Sequence, residues 1–361
     1  MKEFILPFSF SYDTIKRILL VSFEGDPDSL YLGLEAQVVP SPQGEEEQLV
    51  IGWRRDGRVD VYHSSRLTPD PLKYTNVGKG LAHLVPRECA HASGEIEEGR
   101  MPAEYTFQDV EGRRISLHIK EEDPKKRRPF SLLAPVSYSS AAPSSLFLVY
   151  LYNFYFIRKK GTFLKIQIGS REHKPDLLPF LIDGQRMFYS RYSEKPLVVY
   201  FNPDFAGILP SLKVEEGDPE IQTDMIRGEL NWKDGVLSLK KLVLQNPISP
   251  VELRFQPAFP SLLELHEKER AQGTFELDTL PSVGKITGIY RVEKQTENLV
   301  FELHPRGGWH PRPDRLSLWL LFSLVPVFRR WPSTYRWKAV LTPQEDGTVF
   351  MNSQWRREGK I

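Results

Sequence analysis

Acid–base chemistry near neutral pH falls first to histidine, whose charge changes between about pH 5 and 8. His63 ends the run Arg58-Val-Asp-Val-Tyr-His63. Read as a strand, this run puts Arg58, Asp60 and Tyr62 on one face and Val59, Val61 and His63 on the other. His63 therefore points with the apolar side chains. It is either a core or rim histidine held by a hydrogen bond, or an acid or base projecting into a ligand cavity. Tyr192 is its expected catalytic companion, a hydroxyl that can stabilise charge on a substrate.

The residues expected to bind a ligand are Tyr150, Tyr152, Asn153, Tyr189, Trp309 and His310. Tyr150, Tyr152 and Asn153 lie in Phe147–Ile157, a run apolar on both faces: Phe147, Val149, Leu151 and Tyr155 on one, Leu148, Tyr150, Tyr152, Phe154 and Phe156 on the other. Such a strand should be covered on both sides. Asn153 is the single amide among these residues, and a buried amide must be hydrogen-bonded. Its partner is a neighbouring strand or loop, or else a ligand. Tyrosine hydroxyls suit a pocket that is mainly apolar with a few polar groups, although core and rim positions use them equally. Trp309 and His310 belong to Gly307-Gly-Trp-His-Pro-Arg-Pro-Asp-Arg315, read as an irregular loop fixed by Gly and Pro. Loops on rigid scaffolds often carry binding function, while a structural loop with its Trp plugging a sheet end is the plainer alternative. Arg329–Trp337 interleaves cations with aromatics, which suits an anion or nucleic acid and equally suits cation–π packing.

Other chemistry is missing. There is no GxGxxG, GxxxxGK[ST], GxSxG or HExxH pattern, so no nucleotide, serine-hydrolase or zinc-protease motif is present. Cys89 with His83 and His91 is the only grouping with metal-like spacing, and it lacks a fourth ligand. No metal and no cofactor is expected. The 48 basic and 47 acidic residues nearly cancel, which argues against a nucleic-acid partner.

The elements that must position these residues read as strands. Asp-Gly pairs favour hairpins because both turn positions tolerate positive φ. They occur at Asp56-Gly57, Asp234-Gly235 and Asp346-Gly347. Arg114–Lys120, Thr162–Ile168 and Leu299–His304 alternate with period two, as half-buried strands do. Tyr12–Phe23 is ambiguous between helix and strand. Ser261-Leu-Leu-Glu264 reads as a capping box opening a helix that Gly273 would close. The 29 prolines argue against long helices. The expected fold is all-β and mainly antiparallel, a lipocalin-like barrel or barrels or a large β-sandwich, with few short helices. The expected division is residues 1–212 and 220–361, with Lys213–Pro219 as linker and the second part a β-barrel.

The N-terminus, broken by Pro7 and followed by Asp13 and Lys16, does not read as a signal peptide. Pro129–Ile157 and Leu316–Phe328 are too short or too interrupted to span a membrane, which takes about 20 apolar residues. With one cysteine and no intrachain disulfide, a cytoplasmic location is expected.

Chain length, the Asp-Gly hairpins, Trp-rich strands and the closing run Thr334-Tyr-Arg-Trp-Lys-Ala339 together resemble the two-barrel, lipocalin-like (calycin) proteins of the carotenoid hydratase and tocopherol cyclase type. The resemblance implies an apolar-ligand cavity. It carries over no catalytic residue. The expected function is binding of a hydrophobic small molecule, with cofactor-independent hydration, isomerisation or cyclisation as the enzymatic version. The alternatives are a structural or interaction protein, whose interior would be filled by side chains, and a carbohydrate-binding β protein.

Overall fold

The computed structural model describes all residues except 90, 94–101, 123–127, 137–138, 141, 280, 326 and 359–361, and leaves the side chains of 91–93 and 329 undescribed. The chain is mostly antiparallel β-sheet. A nine-stranded sheet runs in the order Phe130–Ala134, Leu146–Arg158, Met187–Phe201, Arg17–Ser22, Tyr31–Pro40, Glu46–Arg54, Val59–His63 and Leu81–Pro86, with Phe10–Thr14 also paired to Met187–Phe201. Among the described residues only the contact between Val59–His63 and Leu81–Pro86 is parallel. A five-stranded sheet is built on Arg114–Glu121, flanked by Ala103–Gln108 and Thr162–Ile168. In a ten-stranded sheet, a nine-stranded meander runs from Glu220–Gln222 to Val349–Arg357, and Phe205–Leu209 joins its last strand as the tenth. Among the described residues the outermost strands of each sheet are not paired with each other, so no closed barrel forms.

The other two sheets both pack on the nine-stranded sheet. Leu19, Ala36, Val50 and Tyr62 share a core with Ile115, Leu117 and Ile119 of the five-stranded sheet. A larger core joins Leu148, Leu197 and Phe201 to Leu253, Phe255, Phe301 and Trp337 of the ten-stranded sheet. Two short strands meet at the expected linker: Lys2–Ile5 pairs with Ser211–Val214.

The expected Asp-Gly hairpins all form, with Gly57, Gly235 and Gly347 at positive φ. Only at Asp234-Gly235 is the aspartate left-handed as well. In the other two, Gly57 N–H donates to Arg54 O and Gly347 N–H to Gln344 O, a type I turn followed by a left-handed glycine. Tyr12–Phe23 resolves into two strands. The helix expected after Ser261 is a single turn, Leu262–Glu264, without a side-chain cap. The Glu264 carboxylate is engaged instead by Lys2 and by Leu237 N–H, and Gly273 lies inside the strand Arg270–Thr279.

Gly307–Pro311 is strand rather than irregular loop. The strand Leu299–Pro311 runs through it, paired with Gly284–Lys294 and shifted in register between Thr287 and Ile289. Gly308 at φ +70° absorbs that bulge.

A second correction concerns Phe147–Ile157. Asn153 is left-handed at φ +47°, a conformation Asn tolerates better than most residues. It inverts the alternation. Phe147, Val149 and Leu151 therefore share their face with Phe154 and Phe156, while Tyr155 and Ile157 turn to the opposite core. Both faces are covered, as expected.

A candidate ligand cavity

Register across the nine-stranded sheet decides which side chains meet. Phe156 pairs with Arg191, Arg191 with Leu20, Leu20 with Glu35 and Glu35 with Ile51. These five form one row, and residues of one row point to one face. The next row on that face holds Phe154, Ser193, Ile18, Gln37, Leu49 and His63.

This face encloses a cavity of about 1540 Å³. Its volume exceeds the roughly 300–1,000 Å³ usual for small-molecule sites. Ile18, Ile51, Phe147, Val149, Leu151 and Phe154 supply much of its lining. It reaches the surface where exposed residues such as Glu24, Pro42 and Lys79 line it. The helical turn Pro71–Asn76 contributes Lys73 and Tyr74 from above, and Leu321, Val325, Val327 and Phe328 close another side.

One buried carboxyl stands on this apolar floor. Glu35 accepts from Gln37 Nε2 at 2.6 Å and from Trp53 Nε1 at 3.2 Å. Trp53 faces Gly33 in register, diagonally across from Glu35. Burial raises the Glu35 carboxyl above the ordinary range, and the Gln37 and Trp53 hydrogen bonds and the Arg191 charge only partly offset it. Arg191 lies over the Tyr189 ring at 4.4 Å and donates to Tyr189 O at 2.8 Å. A second polar group sits elsewhere on the wall: Tyr200 donates to Asp13 at 2.6 Å, and Lys73 pairs with the same carboxylate. Burial, then the Asp13 and Glu35 charges, pushes the Tyr74 phenol up.

A carboxyl that keeps its proton in the native state makes folding pH-dependent. The unfolded chain loses this proton near the ordinary value of 4.5, and the folded chain loses it higher. Stability from this group is full below 4.5 and declines as pH rises towards the raised value. Glu35→Gln should remove that decline and stabilise the chain at neutral pH by about 0.5–2 kcal/mol, the usual scale of single stabilising changes. Urea denaturation at a series of pH values measures it; parallel curves for the two proteins would refute the assignment.

Of the residues named from the sequence, Tyr189 lines the cavity. His63 lies on the cavity face but one strand beyond Leu49, buried, with Nδ1 2.9 Å from Ser64 O. Tyr192 is on the opposite face, fully buried and stacked on Tyr155 at 5.1 Å. His63 and Tyr192 are thus separated by the thickness of the sheet. Tyr150 and Tyr152 point away from the cavity, towards the ten-stranded sheet. Burial raises both phenols; Asp278 adds to this, and for Tyr152 the Ser249 and Thr279 hydroxyls oppose it. Asn153 donates to Glu194 on the neighbouring strand at 3.1 Å. Trp309 is buried edge-on against Phe322 at 5.2 Å. His310 is exposed, with Nε2 3.1 Å from Thr287 Oγ1.

Burial pushes the Cys89 thiol up to about 11, which disfavours the thiolate a nucleophile needs. His83 is held by Asp60, with Nδ1 at 2.8 Å, and the His91 side chain lies outside the described residues. Among the described residues no group of three His, Cys, Asp or Glu is placed to hold a metal ion.

Sequence reasoning missed Glu35 because Gly33, Glu35 and Gln37 alternate with Leu34, Ala36 and Val38, the pattern of a solvent face. The signal lay in the next strand, where Leu49, Ile51 and Trp53 share the face that Glu35 uses.

Compared with known proteins, the chain matches no family model, no curated protein and no solved structure.

Proposed function

We propose that this chain binds a hydrophobic small molecule in the cavity, and that Glu35 serves as its proton donor in a cofactor-independent conversion. The observation that carries the reading is a buried carboxyl of raised pKa on the floor of a cavity of about 1540 Å³. A carboxyl held neutral by an apolar site can donate a proton to a weakly basic substrate group near neutral pH. Gln37, Trp53 and Arg191 surround it with donors for a polar end of the ligand. The nine-stranded sheet would serve this ligand as a lipocalin barrel serves its own, by wrapping an apolar space. A purely structural role fits poorly with so much unfilled volume. Carbohydrate binding loses its main support, since Trp309 is buried and offers no free aromatic face.

The test is uptake of an apolar fluorescent fatty acid, together with native mass spectrometry of the chain purified from its source. One equivalent should bind. Val149→Trp, which fills the cavity, should weaken uptake at least tenfold, while Tyr150→Phe, on the other face, should leave it unchanged. Absence of any copurified or added apolar ligand would overturn the reading.

A further inference from the structure

The helix Leu316–Leu324, Leu-Ser-Leu-Trp-Leu-Leu-Phe-Ser-Leu, is apolar on every side. A helix of that composition is normally buried all round or in contact with lipid. This one is neither fully buried nor long. Its inner side is packed: Leu318, Leu321 and Phe322 are buried, and Phe322 meets Trp309 and Phe328. Its outer side presents Leu316, Trp319 and Leu324, which are 72%, 54% and 63% exposed, with Leu320 between them. No helix among the described residues is long and apolar enough to cross a membrane. Nine residues can only lie along a surface.

Charge indicates which surface. From Asp314 to Glu345 the chain has no intervening acid, and it carries Arg315, Arg329, Arg330, Arg336 and Lys338. At the start of the helix the cations are neutralised: Arg315 pairs with Asp183 at 2.7 Å, and Arg128 with Asp314 at 3.0 Å. Further on, Arg336 is likewise paired, with Glu302 at 2.8 Å and Glu358 at 2.9 Å, while Arg330 is exposed at the close of the next helical turn, Val327–Arg330. Exposed Leu and Trp beside basic residues are the composition of helices that rest in a lipid interface. Position adds a second argument. Leu321, Val325, Val327 and Phe328 line the cavity, so this helical segment separates the apolar cavity from the exposed apolar face.

We propose that Leu316–Leu324 docks on an anionic lipid membrane surface and that apolar molecules pass there between lipid and cavity. The passage rests on the ligand-binding reading above; the docking does not. The full chain would be co-sedimented with vesicles of phosphatidylcholine alone and of phosphatidylcholine mixed with phosphatidylglycerol. Binding should favour the mixed vesicles and weaken with salt, because surface charge attraction is screened. Arg330→Gln should weaken it roughly fivefold, the contribution of one cation near an anionic surface. Leu316→Ser with Trp319→Ser and Leu324→Ser should weaken it at least tenfold, with thermal unfolding unchanged because each of these residues is more than half exposed. Chain left in the supernatant with both vesicle types would overturn the proposal. So would undiminished binding by the triple variant, or self-association of the chain that the triple variant abolishes. Uptake of the fluorescent fatty acid without vesicles should survive in the triple variant. Loss of uptake from the unmodified chain, with vesicle binding intact, would remove the ligand reading and leave the docking standing.

Discussion

Phe8→Ala is expected to destabilise the chain by about 3–5 kcal/mol, the range for removing a fully packed phenylalanine. Phe8 lies between Lys2–Ile5 and Phe10–Thr14 and is only 3% exposed. Its ring meets Phe201 at 6.4 Å on the nine-stranded sheet, and Phe255, Phe259 and Phe301 at 5.1, 5.0 and 5.4 Å on the ten-stranded sheet. It is therefore a joint between the two layers. Truncation forfeits the burial of the ring and leaves a hole that four other aromatics cannot all move to fill. Because one continuous core spans both sheets, the unmodified chain should unfold in a single transition by calorimetry and by circular dichroism, with Phe8→Ala lowering that one transition. Two separable transitions, only one of them moved by Phe8→Ala, would instead show residues on either side of 212–220 behaving as independent domains.

Phe8 also shows where sequence reading stops. Local chemistry was legible: Asp-Gly pairs turn, and Ile115, Leu117 and Ile119 face a core as their alternation requires. These features depend on residues a few positions apart. The layering depends on contacts such as Phe8 to Phe301, which no periodicity reports. The candidate site failed to appear for a related reason. Glu35 gains its significance from Arg191 and Phe156, brought alongside by strand order. Tyr192 reads as a partner for His63 because its hydroxyl can stabilise charge on a substrate, yet register sends the two to opposite faces. At Asn153 a single left-handed residue reversed the facing of every later side chain on its strand, and a hydrophobic pattern apolar on both faces cannot disclose such a reversal.

Asp60→Ala carries the other large effect, a loss of about 3 kcal/mol, at the lower end of what breaking a buried ion pair costs. Asp60 is completely buried on the strand Val59–His63. Its carboxylate accepts from Arg54 at 3.1 Å and from the Tyr31 hydroxyl at 2.8 Å, with His83 Nδ1 at 2.8 Å. Tyr31 gives its proton to Asp60, so at the 2.6 Å contact between the two phenols Tyr62 donates to Tyr31. The Tyr62 oxygen in turn accepts from Val110 N–H at 3.0 Å, beside the hairpin of the five-stranded sheet. Burial, with the Asp60 and Asp109 charges, pushes the Tyr62 phenol up to about 12 against the Tyr31 and Val110 hydrogen bonds, and burial raises the Tyr31 phenol too, so both hydroxyls keep their protons at working pH. Gly52, opposite Asp60 in register, makes room for the arrangement: a Cβ there would lie 2.6 Å from Tyr31 Cε1. Removing Asp60 strands the buried Tyr31 hydroxyl, whereas Arg54 is near enough to the surface to regain water, which is why the lower figure is expected. Tyr31→Phe, which loses the hydroxyl but leaves Arg54 and His83 paired, should cost only about 1 kcal/mol. The urea midpoints of the two variants measure the difference. Equal small losses would mean that the carboxylate does not anchor the chain of hydroxyls. With Phe8 meeting the ten-stranded sheet and the Asp60 network the five-stranded one, the sheet that holds the cavity is fixed to both its neighbours. The row from Arg191 to Ile51 is thereby kept in register around Glu35.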